Sequence, residues 1–178
     1  MSNKSRTIAI ALFVTALAVL VGTLSSSWFT ASRGDGGVGL AGIKACEDGM
    51  CRTIGWGDIP RSPGELALFG YVGLIGGVLI AVGCAITGGL LLSGKVRQFK
   101  AKPFNAVVGV GAGFQVAFLN RIWLGENMRG LSIGWSGFLS LIAILAAVII
   151  VKSQVMPLVT AAPPAPAPAP GPQPYTVA

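Results

Sequence analysis

Histidine is absent from the chain, and only six of its 178 residues are acidic. The first absence removes the commonest general base and a major metal ligand. The second leaves little for carboxylate chemistry, and no two acids stand in helix register as an acid–base pair. No nucleophile has a histidine to activate it, and no glycine loop stands between a strand and a helix to cradle phosphate. An enzyme is therefore not expected, and the residues imply no cofactor, metal or small-molecule substrate. Charge is scarce as well. Charged residues make up 11% of the chain, against about 25% in a soluble domain. With 53% hydrophobic residues and a mean hydropathy of +0.74, both an ordinary soluble domain and a disordered chain are excluded. What remains is an integral membrane protein, with the lipid bilayer as its first partner. Nucleic acid is not expected as a partner, because no soluble basic domain exists to carry it.

A helix needs about 20 apolar residues to cross a ~30 Å hydrocarbon layer. Four stretches qualify, at residues 7–24, 66–92, 104–124 and 131–151. The alternating pattern of a transmembrane barrel is missing, so the spans are read as helices. The first stretch is longer than the ~7–15-residue core of a cleaved signal and lacks a clean Ala-x-Ala site after it. It is expected to stay as a helix.

With four spans, both termini and the middle loop share one side. That side holds Lys4, Arg6, Lys95, Arg97, Lys100, Lys102 and Lys152 and none of the acids. The other side mixes Arg33, Lys44, Arg52, Arg61, Arg121 and Arg129 with all six acids, so the net charge of +7 belongs to one face. The excess of lysine and arginine predicts that face, and both termini, to be cytoplasmic, with the loop at residues 25–64 outside. The run KVRQFKAK serves to set this orientation; binding of anionic lipid headgroups is a second possible use. Residues 153–178, which include AAPPAPAPAPGPQP, form a Pro/Ala-rich cytoplasmic tail that cannot build a core and is expected to be disordered.

The outer loop carries Cys46 and Cys51 in a C-x4-C spacing. An exterior, oxidising location favours a disulfide between them. Metal binding would need further ligands, and redox activity would usually show C-x-x-C. The partly alternating GVGLAGIKA before the pair and RTIGW after it predict a β-hairpin clipped near its tip, with a further strand near Trp28 to Ala31. Cys84, in AVGCAIT, is read as a small apolar residue of the second helix.

Trp28 after the first span, then Gly39-Leu40, then Cys46 and Cys51 resemble the signature of the claudin-like superfamily, which includes the claudins and the peripheral myelin protein relatives. Ala41 stands where that signature has a second tryptophan, and the two cysteines are closer together than is usual. The resemblance covers residues 1–152 in layout but only a handful of residues in motif. The alanine and glycine bias suggests a bacterial relative. The resemblance implies a mainly α membrane protein: a four-transmembrane-helix bundle with a small antiparallel sheet formed by the first outer loop. It further implies a structural or interaction protein that assembles laterally or with a partner through that sheet. Within this picture Trp28, Trp123 and Trp135 are expected at the lipid interface, and Trp56 beside the sheet near the lipid boundary.

Close packing through small residues drives helix association in lipid. Gly73 with Gly77, and Gly109 with Gly113, form two GxxxG pairs expected to pack inside the bundle, the alternative being a seam with another subunit. Gln115 is the strongly polar residue near the middle of the third span, and Thr87, Thr15 or a backbone carbonyl are its expected partners. Arg121 is expected to pair with Glu65 or Glu126. Besides self-assembly into a homo-oligomer, two other roles fit this sequence: an accessory subunit of a larger respiratory, photosynthetic or transport complex, and a self-assembled pore.

Overall fold

The computed structural model describes residues 3–31, 36–47, 50–59, 64–124 and 131–160. The elements follow as α1 (Asn3–Leu24), β1 (Phe29–Ala31), β2 (Gly37–Gly39), β3 (Gly42–Glu47), β4 (Met50–Gly55), α2 (Gly64–Leu92), α3 (Ala101–Trp123), β5 (Leu131–Ile133), α4 (Trp135–Ile150) and α5 (Met156–Thr160). Short 3-10 turns, Trp56–Asp58 and Val96–Gln98, precede α2 and α3. The structure is mainly helical, with four helices long and apolar enough to cross a membrane.

Each long helix is apolar on all sides, so the sequence period alone does not choose its inner face. The inner faces of α1 and α2 are the ones where glycine, alanine and threonine are concentrated. On α1 the inward stripe is Ile8, Ala9, Leu12, Thr15, Ala16, Val19, Gly22 and Thr23, at three- and four-residue steps. Ile10, Val14, Leu17 and Val21 point outward and are exposed. On α2 the inward stripe is glycine-rich: Gly70, Gly73, Gly76, Gly77, Ile80, Ala81 and Cys84. Helix α1 packs against both α2 and α4, and α3 packs chiefly on α2.

The strands form one antiparallel sheet in the order β4-β3-β2-β1-β5. The hairpin expected around the cysteines is β3–β4, in a register that sets Cys46 opposite Cys51. The strand expected near Trp28 to Ala31 is β1, which pairs with β2 at Phe29↔Val38. The fifth strand corrects the expected boundaries. Residues 131–133 were assigned to the fourth helix, but they pair with β1 at Phe29↔Ile133 and Ala31↔Leu131. Gly134 then gives its N–H to the Trp28 carbonyl at 2.7 Å, and α4 starts at Trp135. A Cβ on Gly134 would overlap the Ser27 carbonyl, so the chain can turn this close to β1 only with glycine there.

A second boundary differs at the other end. The tail was expected from residue 153, yet the helix runs on through a π turn, Val151–Val155, into α5. Val155 is fully buried, and Leu158 and Val159 pack on the core. Pro157 has no N–H to return to the carbonyl four residues earlier, and the wider turn lies just before it. The Pro/Ala tract at 161–178 lies outside the described residues.

The core has two parts. One, around Leu12, Val19, Ile80, Ala147 and Val151, fills the bundle. The other joins sheet to helices through Trp28, Phe29, Val38, Leu40, Trp56, Leu66, Phe118 and Ile122.

Candidate functional site

Residues of the family-like motif separate into two places. Trp28, Gly39 and Leu40 meet at the base of the sheet, where it rests on the bundle. Trp28 was expected in an interfacial belt but is fully buried. Its indole N–H donates to the Gly22 carbonyl at 2.7 Å. Helix α1 ends at Leu24, so Gly22 is among the last-turn carbonyls left without a helical partner, and the indole satisfies it. Trp56 is also buried and donates its indole N–H to the Leu40 carbonyl at 2.9 Å. Phe118 of α3 stands edge-on to both indoles, with centroids 6.1 Å and 5.9 Å away. Gly39 lies so close to the end of α1 that a Cβ there would sit 2.7 Å from the Ser26 Cα. Trp123 and Trp135 do face outward, at 67% and 58% exposure.

The second place is the far end of the sheet. Cys46 and Cys51 are joined by a disulfide between directly opposed residues of β3 and β4, with their Cα atoms 4.0 Å apart. Strand β4 is the edge of the sheet, and Met50, Cys51, Arg52 and Thr53 along it are exposed. Behind the edge lies a hollow of about 430 Å³ lined by Ser26, Thr30, Gly37, Lys44 and Cys51 among others. The turn at 48–49 lies outside the described residues. Cys84 is buried in α2 and free.

Beneath the sheet, all four long helices meet at a buried polar node centred on Gln115. Its amide nitrogen donates to the Gly73 carbonyl at 3.1 Å and to Thr23 Oγ1 at 3.4 Å. Its amide oxygen accepts from Ser140 at 3.0 Å, and Ser140 and Thr23 hydroxyls lie 3.2 Å apart. The expected backbone-carbonyl partner is therefore present, while Thr15 and Thr87 are not partners. Each of those turns its hydroxyl to the carbonyl four residues back, Ala11 at 2.8 Å and Gly83 at 2.7 Å. Replacing Gln115 with leucine should lower stability by about 1–2 kcal/mol, the cost of leaving Ser140, Thr23 and a carbonyl under-satisfied. Mixed-micelle unfolding would measure it. Thr23→Val and Gln115→Leu should combine less than additively, since they remove one network.

Glycines of the two sequence pairs behave differently. Gly73 lies against Gln115, and a Cβ on Gly77 would overlap Thr23 Oγ1, so both pack inside the bundle. Gly109 and Gly113 do not: each faces open space on the outer side of α3. The glycine between them makes the contact instead. A Cβ on Gly111 would lie 2.9 Å from the Gly76 Cα, and one on Gly76 would overlap the Gly111 Cα. The helix turns about 100° per residue, so positions two apart face nearly opposite ways.

Arg121 pairs with Glu65 at 3.4 Å, both well exposed, a contact worth about 0–1 kcal/mol. Glu126, the other expected partner, lies outside the described residues. Among the described residues, no three His, Cys, Asp or Glu side chains cluster to hold a metal ion. What the geometry offers is a stiff surface: a sheet clipped at one end and held at the other by two buried indoles. Comparison with known protein families, with characterised proteins and with solved structures found no match.

Proposed function

We propose that this chain is an integral membrane protein of claudin-like architecture that acts by contact, presenting its sheet outside the membrane to a second copy or to another membrane protein. The observation that carries the reading is the sheet's position and stiffness. It caps one end of four apolar helices, it is clipped by Cys46–Cys51, and among the described residues no strand pairs with the outer edge of β4. An open edge strand offers unpaired backbone groups that another chain can add to. Side chains on the helices support the membrane setting. Leu17, Val14 and Ile142 are more than 60% exposed on the outer surface of the bundle, which water would not tolerate over such an area. The charge pattern supports orientation. Lys4, Arg6, Lys95, Arg97, Lys100, Lys102 and Lys152 belong to the end opposite the sheet, which is then cytoplasmic. A disulfide in the sheet agrees with an oxidising exterior.

A second reading, lateral assembly as a subunit of a larger complex, has one observation in its favour. Gly109 and Gly113 leave a small-residue face of α3 open to a neighbouring helix. The pore reading has no such support, since the described residues of the four spans put no charged side chain at mid-depth.

The test is Cys46→Ser with Cys51→Ser. The closed loop is short, so the clip contributes about 2 kcal/mol. The double variant should still insert in membranes, while the complexes seen by crosslinking or native gel should weaken. Unchanged assembly would show that the structural role given to the disulfide is wrong. Loss of only the larger complexes after Gly109→Leu with Gly113→Leu would favour the lateral reading.

A further inference from the structure

Helices α2 and α3 touch backbone to backbone at Gly76 and Gly111 and leave a trough along their outer side. Its upper part, about 280 Å³, is lined by Val72, Ile75, Leu79, Val107 and Val110 beside the two glycines. Its lower part, about 320 Å³, shares Leu79 and Val107 and continues past Gly83, Ile86 and Phe104 to Gln98 and Lys100. The two share these walls and follow one another along the seam between α2 and α3. From Gly76 to Leu90 it runs about 21 Å at 1.5 Å per residue, whereas one leaflet of a bilayer is about 15 Å deep.

The mouth of this crevice is chemically different from its walls. The connection between α2 and α3 folds over it, with Phe99 edge-on to Phe104 at 5.8 Å. That connection and the first turn of α3 hold Lys95, Arg97, Lys100 and Lys102, all exposed. Among the described residues, no acidic residue occurs in the segments at this end, residues 3–6, 93–102 and 151–160. Setting topology needs only that lysines and arginines lie on this side; it does not need Lys100 in the wall of an acyl-sized trough, with Lys102 two residues further on.

We propose that this crevice binds an anionic phospholipid of the cytoplasmic leaflet, with its phosphate at Lys100 and Lys102 and one acyl chain lying along Gly83, Leu79 and Val107. The inference rests on the membrane reading above and adds a ligand to it. Charge complementarity selects the headgroup, and the depth of the trough selects an acyl chain over a free anion.

Native mass spectrometry of the full detergent-purified chain would test it, with phosphatidylglycerol and phosphatidylcholine of the same acyl chains as probes. Phosphatidylglycerol should be retained at least tenfold more tightly, at one per chain. Lys100→Gln with Lys102→Gln should weaken it about 30-fold, roughly a factor of five per lysine. Lys4→Gln with Arg6→Gln removes two charges from the same end away from the trough and should leave binding within threefold. Leu79→Trp, which fills the trough, should also release the lipid. The proposal is overturned if the two lipids bind alike, if both double variants lose equally, or if glycerol phosphate at millimolar concentration displaces the lipid. Extraction of the wild-type chain from membranes by alkaline carbonate would instead refute the membrane reading itself.

Discussion

Gly76→Val should be among the most damaging single changes in the chain, at about 3 kcal/mol or more. Its Cβ would overlap the Gly111 Cα, so there is no flexible side chain to move aside. Two helix backbones must separate, and the surrounding contacts go with them: Gly73 against Gln115 above, and Ile80 against Gly111 below. Overpacking of this kind typically costs about 1–3 kcal/mol where side chains can adjust, and more where backbone must shift. Helix α3 supplies the control. Gly109→Leu and Gly113→Leu put larger groups into open space, and leucine is the better helix former by roughly 0.8 kcal/mol. Stability of the isolated chain in mixed micelles should fall for Gly76→Val and Gly111→Val and hold or rise for the outer pair. Equal losses at Gly109 and Gly76 would mean that α3 is rotated from the orientation described.

Trp28→Ala should cost about 3–5 kcal/mol, the usual range for emptying a buried aromatic site. Trp28 is the largest fully buried side chain, and it joins three parts of the fold: the end of α1, β1 and Phe118 of α3. Trp28→Phe separates packing from hydrogen bonding. It keeps a ring against Phe118 but leaves the Gly22 carbonyl without its donor, for a loss of about 1–3 kcal/mol. Because this indole anchors the base of the sheet, Trp28→Ala should also speed reduction of Cys46–Cys51 by a small thiol. A variant of full stability and unchanged reduction rate would show that the sheet holds its place without this anchor.

The four helices were legible because uncharged apolar runs near 20 residues have few alternatives. The hairpin was legible because alternation and two cysteines point to the same turn. Strand β5 was not, because Leu131-Ser132-Ile133 reads as the start of the apolar run that follows, and only its pairing with β1 tells the two apart. The glycine contact was misread for a related reason. In GVGAG the GxxxG spacing selects Gly109 and Gly113, yet the residue that faces α2 depends on the rotation of α3, and no short motif encodes that. Ser140 escaped notice because a helical hydroxyl can always bond within its own helix, as Thr15 and Thr87 do. Trp28 was placed at the lipid surface because it follows a span directly. The sheet that folds over it is built from residues up to about 100 positions away.

The pairing of β1 with β5 also bears on the order of biogenesis. The hairpin and its disulfide use only residues 42–55 and can form as soon as that segment has been made. Closing the sheet is different, because Phe29 must wait for Ile133, and Thr30 for Ser132, until the third helix and the loop after it have been made. The clipped hairpin is thus an early, self-contained piece, and the β1–β5 seam is a late latch. A nascent chain halted before β5 would carry the disulfide but lack both the fifth strand and the Ser140 hydroxyl of the polar node, and quality-control machinery could tell it from a finished molecule by that missing seam.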